Sequence, residues 1–304
     1  MTSTPPYPSS TAVQTPLTPL EFSFTSSPDK WLESLLPKPT PTPSSSIKIL
    51  TYNIWFDNLY LPHRWLAILS LIAKHQPEVV CIQEATEGFI NLLKNDAVAR
   101  ERYIVLKNFV EGSWYGCLIL VDRTKLDIVR ATSVTFPTQM GRALIVVEVI
   151  GKKDVSNLPL CRIATSHFES MHYSSETRFQ QFTIASQIVK DTSISNPFIS
   201  VVCGDTNLEL PNEVDLPQQV GFRDSWLDTH PEEEVGHTWG ITYPKMMRGE
   251  ERPRKLDRVL YLEKEGVKVV NIGLVGDQPV EVDGHSIYPS DHIGIVAEFD
   301  SKKE

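Results

Sequence analysis

Apolar residues in this chain gather into short runs that each end in a polar or ionisable residue, a pattern that predicts buried strands alternating with helices. Ile47, Ile49, Leu50 and Tyr52 read as a strand that delivers Asn53 at its end. A helix follows, with Trp65, Ile68, Leu69 and Ile72 on one face, stopped before Pro77. Val79 to Ile82 form the next strand and end in Gln83 and Glu84. Residues 118–121, 128–136 and 142–150 read as successive strands and suggest an antiparallel portion.

Leu160 to Ser166 predict a strand that runs out into His167, Phe168, Glu169 and Ser170. After a helix with Phe179, Phe182, Ala185 and Val189 inward comes the run Phe198 to Cys203, which opens abruptly into Gly204, Asp205, Thr206 and Asn207. Strands over Leu256–Leu262, Val267–Leu274 and Ile293–Phe299 complete the pattern, carrying Asp257 in the first and preceded by Asp291 and His292 in the last. A rigid strand fixes where a loop's polar groups point, so Asn53, Glu84, His167, Asp205, Asn207, Asp257, Asp291 and His292 are expected to converge on one cleft at a shared sheet edge. Taken singly, each is as well explained by a turn or a satisfied polar group.

Composition narrows the picture. Ten of the 22 prolines fall in the first 46 residues among many Ser and Thr, so residues 1–46 are expected to form a disordered tail and residues 47–304 a single domain. Within the tail, Trp31, Leu32, Leu35 and Leu36 have helical spacing that suits docking, with a few unattached apolar residues as the alternative. A formal net charge of -9 excludes a broadly basic nucleic-acid coat, so a polyanionic partner must be met locally. Lys245, Arg248, Arg252, Arg254 and Lys255 are the local candidates, with a solvated loop as the alternative. Cys81, Cys117, Cys161 and Cys203 form no CxxC pair and read as buried thiols of a reducing compartment. No apolar run approaches the roughly 18 residues of a membrane span. We therefore expect an intracellular protein, not secreted and not membrane-bound; a monomer is expected, and a place in the nucleus and/or cytoplasm is inferred only from the substrate that the resemblance below implies.

The ordered set TYNIW (Thr51–Trp55), QE (Gln83, Glu84), SHFES (Ser166–Ser170), GDTNL (Gly204–Leu208), LDRVL (Leu256–Leu260) and SDH (Ser290–His292) resembles the endonuclease/exonuclease/phosphatase superfamily of DNase I-like phosphoesterases. The resemblance implies an α/β fold, a four-layer α/β sandwich of two mixed sheets packed face to face with outer helices. TQMGR (Thr138–Arg142) and the His237–Trp239 segment resemble the branch that cleaves tyrosine from a 5′ DNA phosphate. On that resemblance Glu84 holds Mg²⁺, or Mn²⁺, with Asp291 and Asn53 beside it. Asp205 would activate water, Asn207 and His167 would hold phosphate oxygens, and His292 would stabilise the transition state, its ring fixed by either Asp257 or Asp291. Trp239, Arg142, Lys245, Arg248 and Arg254 are the substrate-binding candidates, and the implied partner is DNA with a 5′-tyrosyl or otherwise blocked end, single-stranded near that end.

Glu209 stands where relatives of that branch carry a basic residue, and Trp55 and Phe56 replace the acidic and small residues that often follow the first Asn. These departures keep two other readings in play. One is a phosphoesterase acting on nucleotides, phosphoinositides or phospholipid headgroups, and the other is a catalytically silent binding protein.

Overall fold

Alternating β-branched and aromatic runs pair into two large sheets in the computed structural model, which describes residues 12–19, 45–152, 158–231, 236–242 and 252–301. In chain order the strands are β1 (Gln14–Pro16), β2 (Ser46–Asn53), β3 (Val79–Thr86), β4 (Tyr103–Asn108), β5 (Tyr115–Asp122), β6 (Leu126–Thr135), β7 (Ala143–Gly151) and β8 (Cys161–His167). They continue with β9 (Ile199–Asp205), β10 (Arg223–Asp224), β11 (Asp257–Tyr261), β12 (Lys268–Val275), β13 (Val280–Val282), β14 (His285–Ile287) and β15 (Gly294–Asp300). The longer helices are α1 (His63–His75), α2 (Glu87–Asn95), α3 (Ala97–Arg102) and α4 (Ser175–Lys190).

One sheet has the order β12-β15-β2-β3-β5-β4 and the other β1-β6-β7-β8-β9-β11-β10, with β13 and β14 as a separate hairpin. Both sheets are mixed, because β2 with β3 and β8 with β9 are parallel within otherwise antiparallel neighbours. Their inner faces share a core that includes Ile49, Cys81, Ile119, Val147, Ile163, Cys203 and Val259. Helices α1 and α2 cover the outer face of the first sheet through Trp65, Ile68, Ile72 and Phe89. Helix α4 covers the second through Phe182, Ala185 and Val189. This is the expected four-layer α/β sandwich, and all four cysteines are buried free thiols within it.

Three details differ from the sequence-based expectation. The run 118–121 belongs to the first sheet, between β3 and β4, whereas β6 and β7 lie in the second; the antiparallel portion is thus divided between sheets. Phe179 is exposed and not inward-facing. The third correction concerns the tail. Gln14–Pro16 pairs antiparallel with Thr132–Val134, and Ala12 and Leu17 pack on the cores, so part of segment 1–46 closes the edge at β6. An edge strand needs backbone partners more than apolar side chains, which is why composition concealed it. Trp31, Leu32, Leu35 and Leu36 lie outside the described residues.

Candidate active site

The same edge of both sheets carries the polar strand ends. His167 and Asp257 both pair with Asp205 in the register of the second sheet. Asn53 ends β2 opposite Gln83 in the first. Two backbone devices aim these groups. The β3–β5 register shifts between Ile82 and Ala85, and Glu84 takes a left-handed φ of 59°, a bulge that turns its side chain into the site. Gly204 has φ 137°, and a Cβ there would stand 2.2 Å from the Ser166 carbonyl oxygen, so only glycine lets β8 and β9 close up beneath Asp205.

Asn53 is the hub of the site. Its Oδ1 accepts from the Trp55 amide at 3.0 Å, which turns its NH₂ toward Asp205 Oδ2 at 3.0 Å and Glu84 Oε1 at 3.2 Å. His292 Nε2 lies 3.4 Å from the same NH₂. In this arrangement the Asn53 oxygen accepts from Trp55 and its amide serves as a donor to the two carboxylates. His292 Nδ1 lies 2.7 Å from Asp257 Oδ2, so Asp257 orients the ring, while Asp291 accepts from Trp239 Nε1 at 3.2 Å. Asn207 closes an Asx turn onto Asp205 Oδ1 at 3.1 Å and donates its side-chain amide to the Phe168 carbonyl at 3.0 Å.

Charge is distributed unevenly across this cluster. Burial works against a charged His292, but Asp257, Asp291 and Asp205 outweigh it and hold the imidazole well above its ordinary pKa. His167 goes the other way: burial, then Arg142 and His292, keep it neutral. Its Nε2 sits 3.2 Å from Arg142 Nη2 and 3.3 Å from Asp205 Oδ2. Because an arginine can only donate, Nε2 acts as acceptor and the proton belongs on Nδ1. Burial, and secondarily Asp257, raise Asp205 to about 7, partly offset by His292.

The surrounding scaffold was not foreseen from the sequence. Glu169 accepts from Thr138 Oγ1 at 2.6 Å and from the Gln139 amide at 2.8 Å, which fixes the loop that carries Arg142. Arg142 itself is buried and donates to Tyr115 OH at 3.1 Å and Ser170 Oγ at 3.1 Å. Tyr115, with Trp114 and Phe56, forms an aromatic group beside Arg142, and the adjacent Trp114-Tyr115 pair was the sequence signal for it.

Arg64 is fully buried against the carbonyls of Ile54, Trp55, Asp57, Leu59 and Pro289, tying the loop after Asn53 to the loop before Asp291. Arg64→Met leaves those carbonyls unpaired and is expected to cost about 3 kcal/mol in denaturant unfolding.

Two members of the basic cluster, Arg254 and Lys255, are engaged by the fold, whereas Arg252 is exposed. Lys255 Nζ donates to Asp224 Oδ2 at 2.8 Å, and Arg258 Nη1 reaches the same oxygen at 2.9 Å. Arg254 lies over the Trp239 ring at 5.0 Å and donates to Glu209. Lys245 and Arg248 fall outside the described residues. Trp239 is held by ladder contacts to both Arg254 and His292, and buried Thr238 accepts from the amides of Leu256 and Asp257 at 3.2 and 2.9 Å.

The donor set suits a hard divalent cation. Asp205 and Asp291 are buried and Glu84 half-buried, desolvation raises the pKa of all three, and Asp291 raises Glu84 further. Oxygen donors without thiolates are what Mg²⁺ prefers. Asp205, Asp257 and His292 also offer ligand atoms within 4.8 Å of one another. Nδ1 of that histidine is taken by Asp257 and the ring favours its charged form, so this trio is better suited to moving protons than to binding metal.

A carboxyl raised on folding binds protons more tightly in the native state, so stability is lost as pH rises from the unfolded value near 4 through about 7 for Asp205. The metal-free protein should therefore melt at lower temperature at pH 8 than at pH 5. Mg²⁺ should raise the melting temperature more at pH 8 than at pH 5, as differential scanning calorimetry would show.

Two packed mixed sheets with this acidic and imidazole edge define a DNase I-like phosphoric-ester hydrolase. The Endonuclease/Exonuclease/phosphatase family matches residues 50–292, and the chain belongs to that family. Its relatives point to phosphodiesterase chemistry. It is 27% identical over 273 residues to tyrosyl-DNA phosphodiesterase 2 of Danio rerio, covering 84% of this chain and 68% of that protein. The Xenopus laevis tyrosyl-DNA phosphodiesterase 2 is 29% identical over 266 residues, with 84% and 67% covered. The crystal structure of the D. rerio enzyme complexed with single-strand DNA product superposes with a TM-score of 0.70 at 25% identity, covering 84% of this chain and 100% of that one.

Proposed function

We propose that this protein is a Mg²⁺-dependent phosphodiesterase that cleaves the bond between a tyrosine and a 5′ DNA phosphate, leaving a 5′-phosphate end of the kind needed to clear trapped topoisomerase adducts. The observation that carries this reading is the placing of a carboxylate of raised pKa, Asp205, and a charged imidazole, His292, around the amide of Asn53. Asp205 takes a proton from the attacking water as the oxygen–phosphorus bond forms. His292 donates its Nε2–H to the phosphorane oxygen while Asp257 keeps Nδ1 protonated. Asn207, His167 Nδ1–H and Arg142 hold the non-bridging oxygens, and buried His167 Nδ1 and Arg142 Nε have no other hydrogen-bond partner among the described residues.

The leaving group departs with the bonding electron pair as a phenolate. A phenol's pKa near 10 makes this less demanding than the loss of an alkoxide. Glu84 and Asp291 would hold Mg²⁺, or Mn²⁺ in its place, which neutralises phosphate charge when bound.

The similarity to an enzyme crystallised with single-strand DNA supports a DNA end as substrate. The engagement of Arg254 by Glu209 favours a second reading, a small phosphodiester such as a nucleotide or a lipid headgroup. Comparison of kcat/KM for a 5′-phosphotyrosyl oligonucleotide, a nucleotide diester and a phosphoinositide decides between them. We expect the first to exceed the others by at least about a hundredfold, equivalent to two hydrogen-bonded contacts' worth of discrimination. Equal or reversed values would move the assignment to the small ester.

A further inference from the structure

Four residues link the protein surface to the reacting centre. Glu209 follows the loop of Asp205 and Asn207 and is steadied by its own amide donating to Glu213 Oε2 at 3.3 Å. Its carboxylate accepts from Arg254 Nη1, and that guanidinium lies 5.0 Å from the centroid of the Trp239 ring. The indole in turn donates to Asp291 at 3.2 Å. The Arg254 side chain keeps 38% of its exposure, so it is near enough to solvent to meet a passing phosphate if released. Lys255 and Arg258 have no such freedom, being buried on Asp224.

We infer that Glu209 is a specificity-determining residue. It occupies the charge of Arg254 and holds the guanidinium against Trp239, so the groove selects substrates by their end group and first nucleotides and not by a run of backbone phosphates. This rests on the phosphodiesterase reading above. A cation engaged by a carboxylate releases no counterion when a phosphate passes, whereas each phosphate contact on a single strand steepens the logarithmic salt dependence by about 0.7. Freed from Glu209, Arg254 becomes one such contact, beyond the reacting phosphate and felt only by a substrate long enough to reach it.

The test uses the full chain, its Glu209→Gln variant and the Glu209→Gln/Arg254→Gln double variant. kcat/KM is measured for a 5′-phosphotyrosyl dinucleotide and a 5′-phosphotyrosyl decanucleotide between about 50 and 200 mM salt. In Glu209→Gln the ratio of long to short substrate is expected to rise about three- to tenfold at the lower salt, with a slope steeper by about 0.7 for the long one. The double variant should return both quantities to the parent value or below. Three results would overturn the inference: an unchanged ratio, equal loss on both substrates as for a purely structural contact, or a gain that survives in the double variant. The same slope is read from binding of a 5′-phosphorylated decanucleotide without turnover. Should the parent hydrolyse neither ester, the hydrolytic reading fails while the binding slope still decides the role of Glu209.

Discussion

Asp205→Asn is expected to lower kcat on a 5′-phosphotyrosyl oligonucleotide by about 10²- to 10⁴-fold while the fold persists. The carboxylate sits at the end of β9, and its Oδ2 accepts from the Asn53 amide at 3.0 Å. Asparagine keeps the size of the side chain and one acceptor oxygen for the Asx turn to Asn207, and it loses the acceptor for the Asn53 amide together with the capacity to take a proton. Asp205 must be anionic to act, and its pKa is raised to about 7, so the rate should fall as pH drops below that value. A bound cation favours the anion and moves this acid limb lower. Circular dichroism and a pH–rate profile of parent and variant test both statements. Rates within threefold of each other would remove Asp205 from the chemistry.

His292→Ala is expected to have the second-largest effect, about 10²- to 10³-fold in kcat, because it removes the charged donor aimed at the developing oxyanion. Asp257→Asn tests the same group without deleting it. The contact from His292 Nδ1 to Asp257 Oδ2 is 2.7 Å, and Asp257 is foremost among the carboxylates that raise the ring's pKa. Since the protonated ring is the active form, loss of Asp257 lets it deprotonate at lower pH, and the alkaline limb of the rate profile should move toward acid. A loss of activity with an unmoved limb would show that Asp257 only supports the loop.

The strand ends were legible in the sequence because a buried strand must stop where its apolar run stops. Asn53, His167, Asp205 and Asp257 followed from that rule, and the ordered motifs predicted the four-layer sandwich. Glu84 could be placed at a strand end, but the bulge and positive φ that aim it depend on pairing with β5, which no local pattern announces. The identity of the carboxylate facing His292 required the antiparallel return of β11 beside β9.

Long-range polar contacts were the least legible. A run of basic residues gives no sign that Lys255 faces Asp224 or that Arg254 faces Glu209, because those partners lie 31 and 45 positions away. Arg64 hid for a related reason: its acceptors are backbone carbonyls, which every sequence has. The edge strand Gln14–Pro16 was concealed likewise, since its hydrogen bonds come from the main chain.

The central claim is metal-assisted hydrolysis of a tyrosyl phosphodiester through Asp205. Its most direct measurement is release of tyrosine from a 5′-phosphotyrosyl oligonucleotide by the parent and by Asp205→Asn, each with Mg²⁺ and with EDTA. The account predicts a 5′-phosphate end formed by the parent with Mg²⁺, no such product from either protein in EDTA, and release slowed by at least about a hundredfold in Asp205→Asn with Mg²⁺. Release that continues in EDTA, or in Asp205→Asn at the parent's rate, would contradict it.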